Sequence, residues 1–345
     1  MQFNTPTSPH GRVHTSVTTV MLRVLYALIP GTAAYVWFFG WGVVINILFA
    51  MAVALTCEAA MLVIRRRPVW QYVTDGSALV TAALLALALP PLSPWWLTLC
   101  GTAFAIVIAK QLYGGLGFNP FNPAMAGYIM LLVSFPLEMT AWIAPQMLLE
   151  YQLSFTDAVV AIFAGHLPEG LPIDAFTMAS PLDTLRTQLR LDETVGNIMA
   201  ASPVFGNIGG KGWEWIGGGF LLGGIWLIYK KVITWHIPVA MLGALFAIAL
   251  VFYLIDADTY ASPWFHLVSG ASLLGAFFIA TDPVSAATTN PGRLVYAAGI
   301  GILTYIIRTW GGYPDGVAFA VLLMNMTAPT IDYYIRPRVF GHGKD

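Results

Sequence analysis

Apolar residues fall along this chain in long blocks rather than with the alternation or 3.6-residue stripe of a half-buried element. A bilayer core about 30 Å thick takes roughly 20 apolar residues as a helix, and fewer where the helix is broken. Ten blocks meet that requirement: 22–39, 43–64, 77–89, 95–109, 124–135, 215–229, 239–255, 266–280, 294–307 and 317–326. Several are short and border Gly and Pro, as at Pro90-Pro91 and Asp282-Pro283. The pattern predicts an all-α polytopic membrane protein of about ten transmembrane helices. Residues 1–20 are polar and carry Pro6, Pro9, His10, Arg12 and His14, unlike the apolar core of a signal peptide, so the first span is expected to start insertion.

Charge placement sets the expected orientation. Arg65, Arg66 and Arg67 follow the second block, Lys110 ends the fourth, and Lys230 and Lys231 follow the sixth. Arg293 follows the eighth block, and Arg336, Arg338 and Lys344 follow the tenth. With ten crossings these residues share a side with Arg12, which the positive-inside rule makes cytoplasmic. Asp256, Asp258, Glu138 and Glu150 fall on the other side, with Arg308 the exception. Both termini are expected in the cytoplasm, and residues 136–212 form the large loop on the opposite, periplasmic side. Within that loop, 155–165 is apolar enough to lie along the interface as a helix.

Two segments match at a separation of about 194 residues: Asp75-Gly76-Ser77-Ala78-Leu79 against Ser269-Gly270-Ala271-Ser272-Leu273. A weaker match sets Asn122-Pro123-Ala124-Met125 against Asp315-Gly316-Val317-Ala318. Each half holds five spans, an odd number, so the second half enters from the opposite face, as in inverted-repeat transporters. The expected organisation is a cytoplasmic segment 1–21, a first repeat 22–135, the loop 136–212, a second repeat 213–330 and a cytoplasmic tail 331–345.

Composition closes off other classes. The chain is 58% hydrophobic and 10% charged, against about 25% charged in soluble domains. A net charge of −1 offers no basic field for nucleic acid. The two cysteines, Cys57 and Cys100, lie inside apolar blocks and are too few to hold an iron–sulfur cluster or a disulfide framework. Six histidines (10, 14, 166, 236, 266 and 342) are scattered at loops and span ends, where interfacial or solvated roles are expected and metal binding is not. No nucleophile triad, metalloprotease motif or phosphate loop is present, so no catalytic residue is assigned.

Glu58, inside the second block, is the intramembrane acid, and such a group is a candidate for an ion path by default. Helix contact and a partner subunit are alternatives. Asp75 and Asp282 read as caps at span ends. In the loop, Thr177-Met178-Ala179-Ser180-Pro181-Leu182-Asp183 is a hydroxyl-rich turn entering a helix, with Ser180 at the N-cap and Pro181 in the first turn.

That heptapeptide resembles the flavinylation motif of the family containing the Rnf D subunit and the B subunit of the sodium-pumping NADH:quinone reductase. Gly117-Phe118-Asn119-Pro120-Phe121-Asn122-Pro123-Ala124-Met125, Phe278-Ile279-Ala280-Thr281-Asp282-Pro283-Val284-Ser285 and Gly312-Tyr313-Pro314-Asp315-Gly316-Val317-Ala318-Phe319 are similar to other stretches of that family. The similarity runs from about 23 to 338. It implies a urea-transporter-like fold and a membrane subunit of an ion-translocating ferredoxin:NAD⁺ oxidoreductase. Covalent FMN would relay electrons there and be coupled to Na⁺ or H⁺ movement. The family's last hydroxyl residue carries the FMN phosphoester; here that position is Ser180, where threonine is usual, and Met178 replaces the usual glycine. A serine hydroxyl forms the same ester. Thr177 and Asp183 are its expected neighbours, while Thr177, Thr184 and Thr187 are the alternative acceptors. The resemblance further implies a non-covalent riboflavin, a flavin transferase for maturation, other Rnf membrane and periplasmic subunits as partners, and surrounding lipid. A channel or transporter for a small neutral solute, with the same fold and no redox role, is the alternative reading.

Overall fold

The computed structural model describes residues 16–149, 151–167 and 176–335, and these are all-helical apart from isolated bridges. Glu150, Asp174 and the terminal residues Arg12, Arg336, Arg338, Lys344, His10, His14 and His342 lie outside the described residues. The first half runs α1 (Val17–Phe39), α2 (Gly42–Ile64), α3 (Val69–Val73), α4 (Ser77–Ala88), α5 (Trp95–Ala103) and α6 (Pro123–Ser134). The loop contributes α7 (Pro136–Thr140), α8 (Phe155–Ala164), α9 (Pro181–Leu189) and α10 (Val195–Ala201). The second half runs α11 (Trp213–Tyr229), α12 (His236–Ile255), α13 (Pro263–Val268), α14 (Ser272–Leu274), α15 (Asn290–Trp310) and α16 (Val317–Tyr334). Among the described residues three helices, α1, α2 and α12, are both long and apolar enough by themselves to cross a membrane.

The two halves meet along α1 and α11. A Cβ added to Gly223 would strike the Ala27 carbonyl, and one on Gly219 would lie 2.7 Å from the Gly31 Cα. Small residues let the two backbones approach this closely. Around that seam α12 packs on α15, α15 on α16, and α2 on α4 and α5.

Two expected spans take a different form. α5 does not stop at residue 109 but continues as a π-helix, Phe104–Gln111, with Leu112 N–H bonded to Val107 O and Gly115 N–H to Lys110 O. A π turn holds an extra residue and rotates the side chains beyond it. The eighth block is not one helix: it breaks at Ser269–Ala271 between α13 and α14, then ends in a π segment, Gly275–Ile279. Gly270 sits at the break with φ +62°, a left-handed backbone that a side chain disfavours.

The matched segments share local features, although the carboxylate that holds the second break is Asp315 and not Ser269, the position matched to Asp75. Gly76 (φ +81°) precedes α4 as Gly270 precedes α14. Asp75 Oδ1 accepts from Ser77 N–H (2.7 Å), and Asp315 Oδ2 accepts from Ala271 N–H (2.7 Å). Asn122 Oδ1 accepts from Met125 N–H at the start of α6, and Asp315 Oδ1 from Val317 N–H at the start of α16. In the loop, α8 opens on a capping box in which the Ser154 hydroxyl and N–H both donate to Asp157, holding that carboxyl below the usual range.

Candidate functional site

Ser180 is the N-cap of α9, its backbone extended (φ −63°, ψ 158°) and its Oγ accepting from Asp183 N–H at 3.3 Å, with Pro181 filling the first turn. Upstream, the strand-like stretch around Thr177 pairs with the segment after α7: Ala144 N–H donates to Phe176 O and Met178 N–H to Trp142 O, both at 2.8 Å. Downstream, Leu182 and Leu185 anchor α9 in a small apolar cluster with Val195, Ile198, Phe205 and Phe265. Ser180 is therefore fixed from both sides.

It opens on a cavity of about 100 Å³ between the loop and the membrane helices. Tyr35, Trp142 and Trp213 form an aromatic wall, with ring centroids 5.1 Å apart for the tryptophans and 6.1 Å for Tyr35 and Trp213. Asp315 and Gly270 close the opposite side; a Cβ on Gly270 would strike Asp315 Oδ2. The Tyr35 hydroxyl is buried without a hydrogen-bond partner among the described residues. A buried orphan of this kind calls for a polar partner. A flat, mostly apolar group with a polar edge, such as an isoalloxazine, fits aromatic walls and that hydroxyl. Its phosphate would sit at Ser180, where α9 begins and anions are favoured. Asp183 opposes this charge and Arg186, 3.7 Å from Asp183, offsets it.

The expected neighbours separate. Asp183 is held through its N–H by Ser180, whereas Thr177 lines a different cavity with Glu138 and His166. Thr184 Oγ1 donates weakly to Ala179 O at 3.5 Å, and Thr187 is exposed.

Glu58 lies elsewhere, 1% exposed, and it is paired. Lys110 Nζ donates to its Oε1 at 2.6 Å and to Ser77 Oγ at 2.7 Å; Gln111 Nε2 donates to the same Oε1 at 2.8 Å. Oε2 has no partner among the described residues. Lys110 is thus no loop cation marking a membrane side; it is 2% exposed and turned inward by the π segment. Arg308, the apparent exception on the acidic side, is buried likewise, donating to Asp315 (3.0 Å), His266 O (2.7 Å) and Ser269 O (3.1 Å). Lys110 thus reaches Ser77 at the start of α4, and Arg308 reaches the break between α13 and α14. His266 is not interfacial but 5% exposed, packed edge-on to Tyr305 at 5.0 Å. Most of these pairings join residues far apart in the chain, and the one hint of them was Arg308, a cation on the otherwise acidic side. Cys57 and Cys100 are free and partly buried, and no His/Cys/Asp/Glu group among the described residues could hold a metal.

Residues 4–341 match the model of the NQR2, RnfD, RnfE family. A protein of Aliivibrio salmonicida, named as the D subunit of an ion-translocating oxidoreductase complex, is 53% identical over 351 aligned positions covering all of both chains. Proteins of the same name from Pseudomonas aeruginosa and Escherichia coli are 53% and 49% identical, covering all of this chain and 97% and 100% of theirs.

Proposed function

Since the chain belongs to the NQR2, RnfD, RnfE family, we propose that it is the D-type membrane subunit of an Rnf ion-translocating oxidoreductase, and that Ser180 carries FMN through a phosphoester. The observation that bears the flavin reading is Ser180 at the mouth of a cavity walled by Tyr35, Trp142 and Trp213, with the Tyr35 hydroxyl unpaired among the described residues. FMN supplies one- and two-electron chemistry; the protein supplies position and surroundings. Tyr35 and the tryptophans exclude water from the ring and hold its plane. The start of α9 receives the phosphate.

The subunit sits in the bacterial inner membrane as ten spans in two inverted five-helix repeats with a urea-transporter-like course. With Lys110 and Arg308 withdrawn from the count, Arg65, Arg66, Arg67, Lys230, Lys231 and Arg293 remain on one side in short loops, against Arg186, Arg190 and Lys211 in the long loop, where charge weighs less, and they still favour cytoplasmic termini. The loop bearing Ser180 is then periplasmic. Glu58, with its unshared Oε2, is the candidate on the path of Na⁺ or H⁺. Other complex subunits, a flavin transferase and membrane lipid are its partners, and a non-covalent riboflavin is a second cofactor.

Two measurements test this. The chain co-produced with its flavin transferase should show an FMN-sized adduct in the peptide holding Ser180; an unmodified chain would sink the flavoprotein reading and favour a solute channel. Reporter fusions placed after residue 345 and within residues 185–200 should lie on opposite membrane sides. The same side for both would overturn the span count.

A further inference from the structure

Behind α9, away from Ser180, lies a second and larger cavity of about 200 Å³. Leu182, Leu185, Arg186, Leu189 and Arg190 recur at helical spacing, so a single face of α9 forms one wall. The last turn of α15 and His266 form the other.

Its chemistry is one-sided. Among the described residues three arginines (186, 190 and 308) line the cavity and no carboxylate does. Arg308 is neutralised by Asp315, and Arg186 lies 3.7 Å from Asp183, but Arg190 has no carboxylate within ion-pair reach among the described residues. The guanidinium groups are held in place beforehand: Arg186 donates to Gly312 O, and Arg190 to Gly311 O at 3.3 Å. Those bonds satisfy carbonyls at the end of α15, where cations are favoured. They do not use up the donors. Arg186 Nε, a donor, is buried and has no partner among the described residues; His266 Nδ1, a donor in one tautomer, is buried and unpartnered as well. A helix-capping role explains neither the spare donors, nor the uncompensated charge, nor the space.

Guanidinium groups recognise oxoanions, and phosphate above all, because their fork of N–H groups matches two oxygens. Two features favour an amphiphile over a free ion. Leu185 and Leu189 line the same cavity, giving apolar surface beside the charge. Trp310, also in its wall and 52% exposed, and Tyr260 are the amphipathic aromatics that settle at headgroup depth. We propose that this cavity binds a phosphate-bearing anion, and that its occupant is the headgroup of an anionic phospholipid. The lipid source rests on the membrane placement argued above; the recognition of phosphate does not.

The test uses the full chain in detergent, titrated separately with phosphatidylglycerol, phosphatidylcholine and inorganic phosphate at constant ionic strength, with thermal unfolding as the readout. Phosphatidylglycerol should raise the midpoint and phosphatidylcholine should not. Arg190→Gln, at an exposed position whose loss spares the fold, should weaken the apparent affinity for phosphatidylglycerol about tenfold, the scale of one charge-assisted hydrogen bond. Lys231→Gln, in a remote loop, should leave it unchanged. An arginine-dependent shift with inorganic phosphate as large as that with phosphatidylglycerol would keep the anion site and overturn its lipid occupant. Equal stabilisation by both lipids, no stabilisation by any of the three, or an affinity unaltered in Arg190→Gln would overturn the site.

Discussion

Ser180→Ala should reduce covalent flavin to background, read as loss of in-gel fluorescence from the denatured band and of the FMN adduct by mass spectrometry. The substitution also removes the N-cap of α9, a loss of about 0.5–2 kcal/mol, so a second variant is needed to separate chemistry from folding. Ser180→Asn supplies that control: its amide oxygen can accept from Asp183 N–H as the Ser180 hydroxyl does, yet it offers no hydroxyl to esterify. It should be folded and without flavin. Ser180→Thr should keep both cap and cofactor. Flavin that survives in Ser180→Asn would move the ester to Thr177, Thr184 or Thr187. Thr177 opens on a separate cavity and is the hardest of these to reconcile with a ring held by Tyr35 and Trp142.

The second large effect belongs to the buried ion pair. Lys110→Met leaves Glu58, 1% exposed, with only Gln111 as a donor. Breaking a buried pair from one side typically removes about 3–5 kcal/mol. The midpoint of unfolding in detergent should fall accordingly, and Glu58→Gln alone should also lower it by stranding the ammonium. The double variant, with neither charge, should recover most of the loss. A single-variant loss under about 1 kcal/mol, the range of exposed pairs, would mean the pair is wet. In the assembled complex Glu58→Gln should keep its flavin and transport fewer ions per electron; unchanged transport would assign the pair to packing.

What could be read from the residues beforehand was local. The Ser-Pro-x-Asp pattern at 180–183 announces an N-cap with proline in the first turn because both preferences act within one helical turn, and α9 begins there. The apolar blocks mark their helices to within a few residues, as at α2, α4 and α6. Two kinds of feature escaped. Backbone departures inside a span, the π turn of 104–111 and the break at Gly270, escape a hydrophobicity profile because it averages over a window and carries no backbone geometry. Pairings such as Glu58 with Lys110, 52 residues apart, and Arg308 with the His266 carbonyl, 42 apart, depend on packing that no local window contains. Lys110 therefore looked like a topological marker when it is a counter-charge. The aromatic wall opposite Ser180 was invisible for the same reason, since Tyr35, Trp142 and Trp213 come from three distant segments.

The clamp between α9 and the end of α15 also imposes an order in time. Arg186 and Arg190 bond to carbonyls 126 and 121 residues further along the chain. Those acceptors do not exist when α9 leaves the ribosome. At roughly 5–20 residues per second, α9 waits on the order of 6–25 seconds before its docking surface has been synthesised. Throughout that interval the segment bearing Ser180 has its pairing with residues 142–144 available but lacks its contact with the end of α15. A modifying enzyme acting at Ser180 would therefore meet the hydroxyl before Gly270 and Asp315, which line the same cavity, have been synthesised.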